Sequence, residues 1–337
     1  MDERDILENR DFIDKINSNL SKLSIHKDEK IVVAVSGGCD SMALILCLKQ
    51  LGFTNLLPVI IDHKLRENST VEAKNVSDYL LKYSLKSEIL TWNHLEISSG
   101  MEEKARNARY ILLLNYCTQN NSKFLLLGHH ADDQVETFLL NIARGSGLNG
   151  LTAMAMVSRK NGINIVRPML DIYKQEIKEF LIKNKISWFE DESNQNTEIR
   201  RNLLRDILSN FSDNIGLLKS RIIRTIDEMQ QLRIVFEQYQ EDNFLKVLIS
   251  LTPQFIVIDV VKFKILSPIE KRYLLSEILM KLNILEKYRP RLEKINQLLG
   301  DLDLAILNKK KLRKQLHSCD IFLELESSTI HFSLIKR

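Results

Sequence analysis

Along the first half of the chain, short runs of apolar and β-branched residues alternate with stretches whose apolar positions recur every three or four residues. The runs are IVVAVS (31–36), NLLPVII (55–61), LKSEILTW (85–92) and KFLLLGHH (123–130), with a shorter fifth, INIVRP, at 163–168. They are nearly continuous rather than alternating, so they read as strands buried on both faces, the habit of parallel sheets. Helical spacing at 40–51, 69–84, 101–119 and 132–143 fills the gaps. The succession predicts an α/β fold: a Rossmann-like parallel sheet with helices on both faces. After residue 215 the pattern turns mainly helical, at 216–243 and 268–299, with a strand-like IVIDVVKF between them. Short strand-like pieces follow at 302–307, 320–326 and 329–335. A linker near 211–216 then divides a first domain, 1–213, from a smaller, mainly helical α/β C-terminal domain, 214–337.

Composition narrows the class without changing this picture. A chain of 337 residues exceeds one typical domain. With 44% hydrophobic and 27% charged residues, 11 Gly and 5 Pro, it is globular rather than disordered or collagen-like. No apolar stretch has the roughly 18–20 residues of a membrane span, and MDERDILENRDF is too acidic for a signal peptide. A cytoplasmic protein without a membrane partner is expected. Cys39, Cys47, Cys117 and Cys319 form no CxxC pair, so reduced thiols are expected. Residues 200–337 carry 24 Lys and Arg against 17 Asp and Glu, a surplus of +7, while residues 1–199 stand at −3. The basic half suits a polyanion such as RNA, although solvated helices often carry such a surplus.

Chemistry is expected just past the carboxyl ends of the strands, where open α/β sheets bind ligands. Ser36-Gly37-Gly38-Cys39-Asp40-Ser41 lies between a strand and a helix. Two glycines allow a tight turn with inward N–H groups, and the helix N-terminus adds positive potential, so the loop is a phosphate cradle. It is neither a GxxxxGK[ST] loop nor GxGxxG. The form SGGxDS resembles the PP-loop of the N-type ATP pyrophosphatases, which split ATP to AMP and pyrophosphate while adenylating a substrate. That resemblance implies that Ser36, Gly37, Gly38 and Ser41 hold the departing phosphates, with Cys39 at the loop's variable position. It also implies that Asp40 acts through an accompanying Mg²⁺, an ion suited to carboxylate and phosphate oxygens.

Gly128-His129-His130-Ala131-Asp132-Asp133-Gln134-Val135-Glu136-Thr137 forms the second motif. Continued helical spacing would put His129 and Asp133 on one face, open to a metal reading or to a helix cap rich in acids. This motif is followed by Arg144-Gly145-Ser146-Gly147-Leu148. Together with Asp62-His63-x-Leu65-Arg66, Met101-Glu102-Glu103-x-Ala105-Arg106-x-x-Arg109-Tyr110, Arg167-Pro168-Met169-Leu170, Asp191-Glu192-Ser193-Asn194 and Arg201-Asn202-Leu203-Leu204-Arg205, it resembles the tRNA(Ile)-lysidine synthetase family over residues 25–210.

The resemblance implies an ATP-dependent ligase that activates carbon 2 of the wobble cytidine in a CAU-anticodon tRNA(Ile) and joins it to free L-lysine. It implies Asp40 and Asp133 as essential acids, for Mg²⁺ and for the lysine amine. His129 would contact the adenylate or transfer a proton, and Arg109 and Arg201 would serve phosphate charge or the tRNA backbone. The C-terminal half resembles the family's first accessory tRNA-binding domain, and the second such domain of longer members is expected to be absent. Lys309-Lys310-Lys311-x-Arg313-Lys314 is a candidate for RNA phosphates. Alternatives are a tRNA cytidine thiolase, disfavoured by the missing CxxC, and a non-catalytic ATP- or RNA-binding module. A homodimer is the expected assembly, as the commonest class.

Overall fold

The computed structural model describes residues 9–65, 68–94, 101–189, 214–282, 291–316 and 318–335. They divide into two compact units, Met1–Gln230 and Gln231–Arg337.

The first unit is built on a six-stranded sheet. Its strands are β1 (Ile31–Ala34), β2 (Leu56–Asp62), β3 (Glu88–Thr91), β4 (Phe124–Leu126), β5 (Val157–Lys160) and β6 (Ile163–Val166), in the order β3-β2-β1-β4-β6-β5. Five strands are parallel, as the apolar runs predict; β5 was not foreseen and adds an antiparallel edge through a hairpin to β6. Its sequence, VSRK, has one strongly apolar residue, which is all a half-covered edge strand requires.

Helices α1 (Arg10–Lys22), α2 (Cys39–Gln50), α3 (Ser69–Leu81), α4 (Met101–Gln119), α5 (Ala131–Ala143), α6 (Leu148–Leu151) and α7 (Lys174–Lys183) connect and cover these strands. The two sheet faces bury separate cores. One gathers Val33, Leu126 and Val166 with α1, α2 and α7; the other gathers Val32, Leu125, Leu127 and Ile165 with Leu113, Leu114 and Cys117 of α4. Alternation along a strand therefore assigns each residue of β4 and its extension to one face or the other. The strand order reverses direction between β1 and β4, and the loops leaving those two strands carry the two glycine-containing motifs.

A long helix, α8 (Ile215–Val247), runs through the division between the units. Of the expected linker near 211–216, residues 211–213 lie outside the described residues, and Ile215 already begins this helix. The second unit holds β7 (Leu248–Leu251), β8 (Phe255–Asp259), α9 (Val260–Ile265), α10 (Pro268–Leu282), α11 (Leu292–Leu307), β9 (Leu312–Leu316), β10 (Cys319–Glu324) and β11 (Thr329–Leu334). Its five strands form an antiparallel sheet in the order β7-β8-β11-β10-β9, packed on α10 and α11.

Two expectations are corrected here. IVIDVVKF is half strand and half helix, because the Asp259 carboxylate caps α9 by accepting from the N–H groups of Val261 at 2.7 Å and Lys262 at 3.0 Å. The strand expected at 302–307 is the end of α11, whose buried stripe of Ile295, Leu298, Leu299, Leu302 and Ala305 has helical spacing.

Candidate active site

The loop leaving β1 is shaped by its glycines and serines. Gly37 has φ +85°, and a Cβ there would meet Val76 Cγ2 of α3 at 2.4 Å, so the position requires glycine. Its carbonyl accepts from the Phe189 N–H at 3.0 Å. The Ser41 hydroxyl folds back to donate to the Gly38 carbonyl at 3.0 Å and accepts from the Ser36 N–H at 3.1 Å. The Ser36 and Ser41 hydroxyls are 3.2 Å apart. Gly38 precedes the first turn of α2, so the N-terminal amides of that helix face the loop. Cys39 is buried, and burial raises its thiol pKa.

Gly128, at the end of β4, packs directly on this turn: a Cβ there would lie 3.1 Å from Asp40 C and Ser41 N. That close approach brings the second motif against the first. His130 is the residue before α5 and is buried. Its Nε2 lies 3.7 Å from carboxylate oxygens of both Asp40 and Asp133, and its Nδ1 3.7 Å from Asp132. Asp133 also accepts from the His130 N–H at 3.0 Å, which fixes the start of the helix.

Two lysines balance these acids. Lys174, at the first turn of α7, places Nζ 2.6 Å from both oxygens of Asp40. Burial alone would lower the Lys174 pKa, but Asp40 outweighs it and raises it. Lys219 of α8 bonds Asp132 at 2.5 Å, and the Lys174 N–H donates to the same carboxylate at 2.8 Å. Burial would raise the Asp132 carboxyl; Lys219 and the Lys174 amide hold it below the usual carboxylate range.

On the other face of the sheet the charge reverses. Along α4, Tyr110 continues the stripe that Leu113, Leu114 and Cys117 bury against the strands, with Arg109 half-buried beside it and Arg106 exposed one turn earlier. Arg106 and Arg109 sit 6.0 and 5.7 Å from the Tyr110 ring centroid. Arg167, just past β6, is buried and donates from Nη1 to the Ala155 carbonyl at 3.0 Å and to Ser158 Oγ at 3.1 Å. His129 lies among them. Burial first, and then Arg167, Arg109 and Arg106, push its imidazole down to about 3, so it is neutral at physiological pH.

A family model described as a PP-loop domain matches residues 9–211, more than half of the chain. The chain belongs to the PP-loop domain family. Within that family it is similar to a tRNA(Ile)-lysidine synthase from Wolbachia pipientis wMel, 39% identical over 218 residues, covering 63% of this chain and 50% of that protein. The synthase from Orientia tsutsugamushi (strain Boryong) is 34% identical over 273 residues, covering 76% of this chain and 60% of that protein. That from Rickettsia akari (strain Hartford) is 36% identical over 245 residues, covering 69% and 54%. The chain thus matches half to three-fifths of the length of these relatives. Among solved structures, a U34-tRNA thiolase from Methanococcus maripaludis, with its 4Fe–4S cluster, superposes with a TM-score of 0.58. It covers 66% of this chain and 79% of that one at 15% identity, which shares the fold.

The residues expected from sequence land unevenly on this PP-loop frame. Ser36, Gly37, Gly38, Cys39, Asp40 and Ser41 form one turn, and Asp40 and Asp133 meet at one imidazole. That imidazole belongs to His130. His129 precedes α5, so helical spacing does not relate it to Asp133, and strand alternation sends it to the arginine side with Arg109. Arg201, Arg66 and the 191–194 motif lie outside the described residues. Asp62 is buried and accepts from Ser69 Oγ at 2.8 Å and Thr70 Oγ1 at 2.7 Å, fastening the start of α3. Sequence reading missed Lys174, which lies 134 residues from Asp40, and left Arg167 without a role although it stands at a strand end.

Proposed function

We propose that this protein is a tRNA(Ile)-lysidine synthase, joining free lysine to carbon 2 of the wobble cytidine of a CAU-anticodon isoleucine tRNA at the expense of ATP. The observation that carries the reading is the meeting of Asp40 and Asp133, from two loops at the switch point of the sheet, on His130 beside a phosphate-shaped turn. Similarity to lysidine synthases over 63% to 76% of this chain supports the choice of substrate.

In this reading the cytidine oxygen attacks the α-phosphorus of ATP, the α–β bridge breaks, and pyrophosphate departs into the turn of Ser36–Ser41. The amine of lysine then attacks carbon 2, and the oxygen leaves with AMP. A carbonyl oxygen is a poor leaving group and AMP a good one, so the adenylation lowers the barrier of the second step. The turn and the α2 N-terminus orient the phosphates and offset their charge. Asp133, whose side chain is 30% exposed beside His130, attracts the lysine ammonium and accepts its proton as the amine attacks.

Among the described residues no group of three or more His, Cys, Asp or Glu side chains could hold a metal ion. Asp40 and Asp133 nevertheless fit Mg²⁺, which binds through one or two carboxylates completed by substrate phosphates. When bound, it would neutralise charge on the departing pyrophosphate.

The test is to incubate the protein with ATP, Mg²⁺, labelled lysine and a CAU-anticodon isoleucine tRNA transcript, with the methionine tRNA of the same anticodon as control. Label in the wobble cytidine of the isoleucine tRNA alone is the expected result. Pyrophosphate release without lysine incorporation would refute the choice of nucleophile, and no release at all would refute adenylation.

A further inference from the structure

On the arginine side of the sheet edge, three buried side-chain nitrogens have no hydrogen-bond partner among the described residues. Arg167 is 8% exposed, and its Nε has no hydrogen-bond partner. The Nε of Arg109 and Nδ1 of His129 are likewise buried and unpartnered. Among the described residues no carboxylate forms an ion pair with Arg106, Arg109 or Arg167. Lys160 of β5 adds a further cation, its Nζ 5.3 Å from the Tyr110 ring centroid. Burying a guanidinium without a full counter-charge is costly, and the group facing Arg109 and Arg167 is the Tyr110 phenol, whose pKa they lower against the effect of its burial. A chain that keeps two such groups at a ligand-binding edge has a place for an anion.

We infer that Arg167, Arg109 and His129 form a subsite for a phosphodiester of the RNA substrate, next to the base that reacts. The inference rests on the function proposed above. The anion is distinct from the triphosphate, whose cradle of Ser36–Ser41 stands at the N-terminus of α2, a helix packed in the core of the opposite sheet face. His129 follows Leu125 and Leu127 onto the α4 face, across the end of β4. Two guanidiniums match the two non-bridging oxygens of a diester, and a neutral imidazole adds one N–H without adding charge. A diester carries a single negative charge, which two arginines already exceed. Arg167 is held for this task by Ala155 and Ser158, so its free edge is oriented before any ligand arrives.

The experiment measures two affinities for wild type, Arg167→Gln and Arg167→Lys. One is for ATP, by equilibrium dialysis. The other is for a synthetic CAU-anticodon stem-loop RNA, across a salt series. Arg167→Gln should weaken the stem-loop about tenfold and reduce the salt slope by about 0.7–0.9, the value of one lost phosphate contact, with ATP affinity changed less than twofold. Arg167→Lys, which keeps the charge but not the fork, should fall between.

A second arm needs no variant. A stem-loop with one neutral methylphosphonate at either linkage flanking the target cytidine should bind wild type about tenfold more weakly at one of the two positions. The same RNA should bind Arg167→Gln with no further loss. Weakened ATP binding with unchanged RNA binding would overturn the inference and assign the anion to the nucleotide. Equal affinity of wild type for neutral and charged linkages would overturn it in favour of a purely structural cluster. If a stem-loop of scrambled anticodon shows the same loss at Arg167→Gln and binds wild type equally well, the subsite stands and the lysidine reading fails.

Discussion

At Gly37 the backbone requirement can be separated from the chemistry. Alanine there would adopt φ +85° and drive its Cβ to 2.4 Å from a methyl of Val76, itself buried. Gly37→Ala should therefore destabilise the first unit by about 1–3 kcal/mol and displace the turn. The check is a lowered thermal midpoint together with reduced ATP-dependent pyrophosphate release. Normal release in a destabilised variant would show that the turn's shape is not needed. Lys174 makes the opposite case, since its side chain is about a third exposed and its role is charge. With Nζ 2.6 Å from both Asp40 oxygens, it offsets an acid that would otherwise face a triphosphate. Lys174→Met should raise KM for ATP about ten- to hundredfold, corresponding to the roughly 1.5–3 kcal/mol of a charged hydrogen bond, with a small change in thermal midpoint. An unchanged KM would mean that Lys174 only braces Asp40 in the free protein. Which histidine of the pair meets the acids was not legible from spacing. The choice depends on whether strand parity or helical periodicity governs residue 129, and that turns on α5 starting at Ala131.

The strand ends that carry chemistry were legible because buried parallel strands are apolar runs and the motifs interrupt them abruptly. Less legible were elements whose patterning serves two periods at once, as in DLDLAIL, where leucines alternate like a strand while the buried stripe follows the helix. Caps decide such boundaries. At the start of α10, Glu270 accepts from the Ser267 N–H at 2.6 Å, and the Glu270 N–H approaches Ser267 Oγ at 3.3 Å, a reciprocal capping box. The Tyr239 hydroxyl also donates to this carboxylate and, with Ser267, lowers its pKa to about 2. A carboxyl depressed in the folded state contributes stability above its unfolded value, about 4.3, and loses that contribution as pH falls towards 2. Glu270→Gln should therefore be less stable than wild type at neutral pH, with the difference closing between pH 4.5 and pH 2. Urea unfolding of the full chain at several pH values in that window measures it. A gap that stayed constant with pH would assign the effect to packing instead of charge.

Over the whole molecule, the sequence shows a charge imbalance between the two halves but not which basic residues are spent on their own fold. The run at 309–314 is partly neutralised: Arg313 bonds Asp320 at 2.7 Å, Lys314 pairs with Asp301, and Lys311 lies 3.9 Å from Glu324 and Glu326. Lys309 and Lys310 are exposed and, among the described residues, form no ion pair. If the C-terminal unit grips RNA phosphates, these two lysines are the ones available to do it, because each must release a counterion already condensed on the nucleic acid. Lys309→Glu with Lys310→Glu should then lower the slope of log affinity for tRNA against log salt by about 1.4–1.8, the share of two phosphate contacts, without altering ATP binding. Arg313→Ala should leave that slope nearly unchanged and instead lower the thermal midpoint, since it strips the partner of Asp320 between β9 and β10. The reverse result, a slope lost with Arg313 and kept without Lys309 and Lys310, would mean that RNA displaces the internal ion pairs and that the paired face of the sheet is the one that binds.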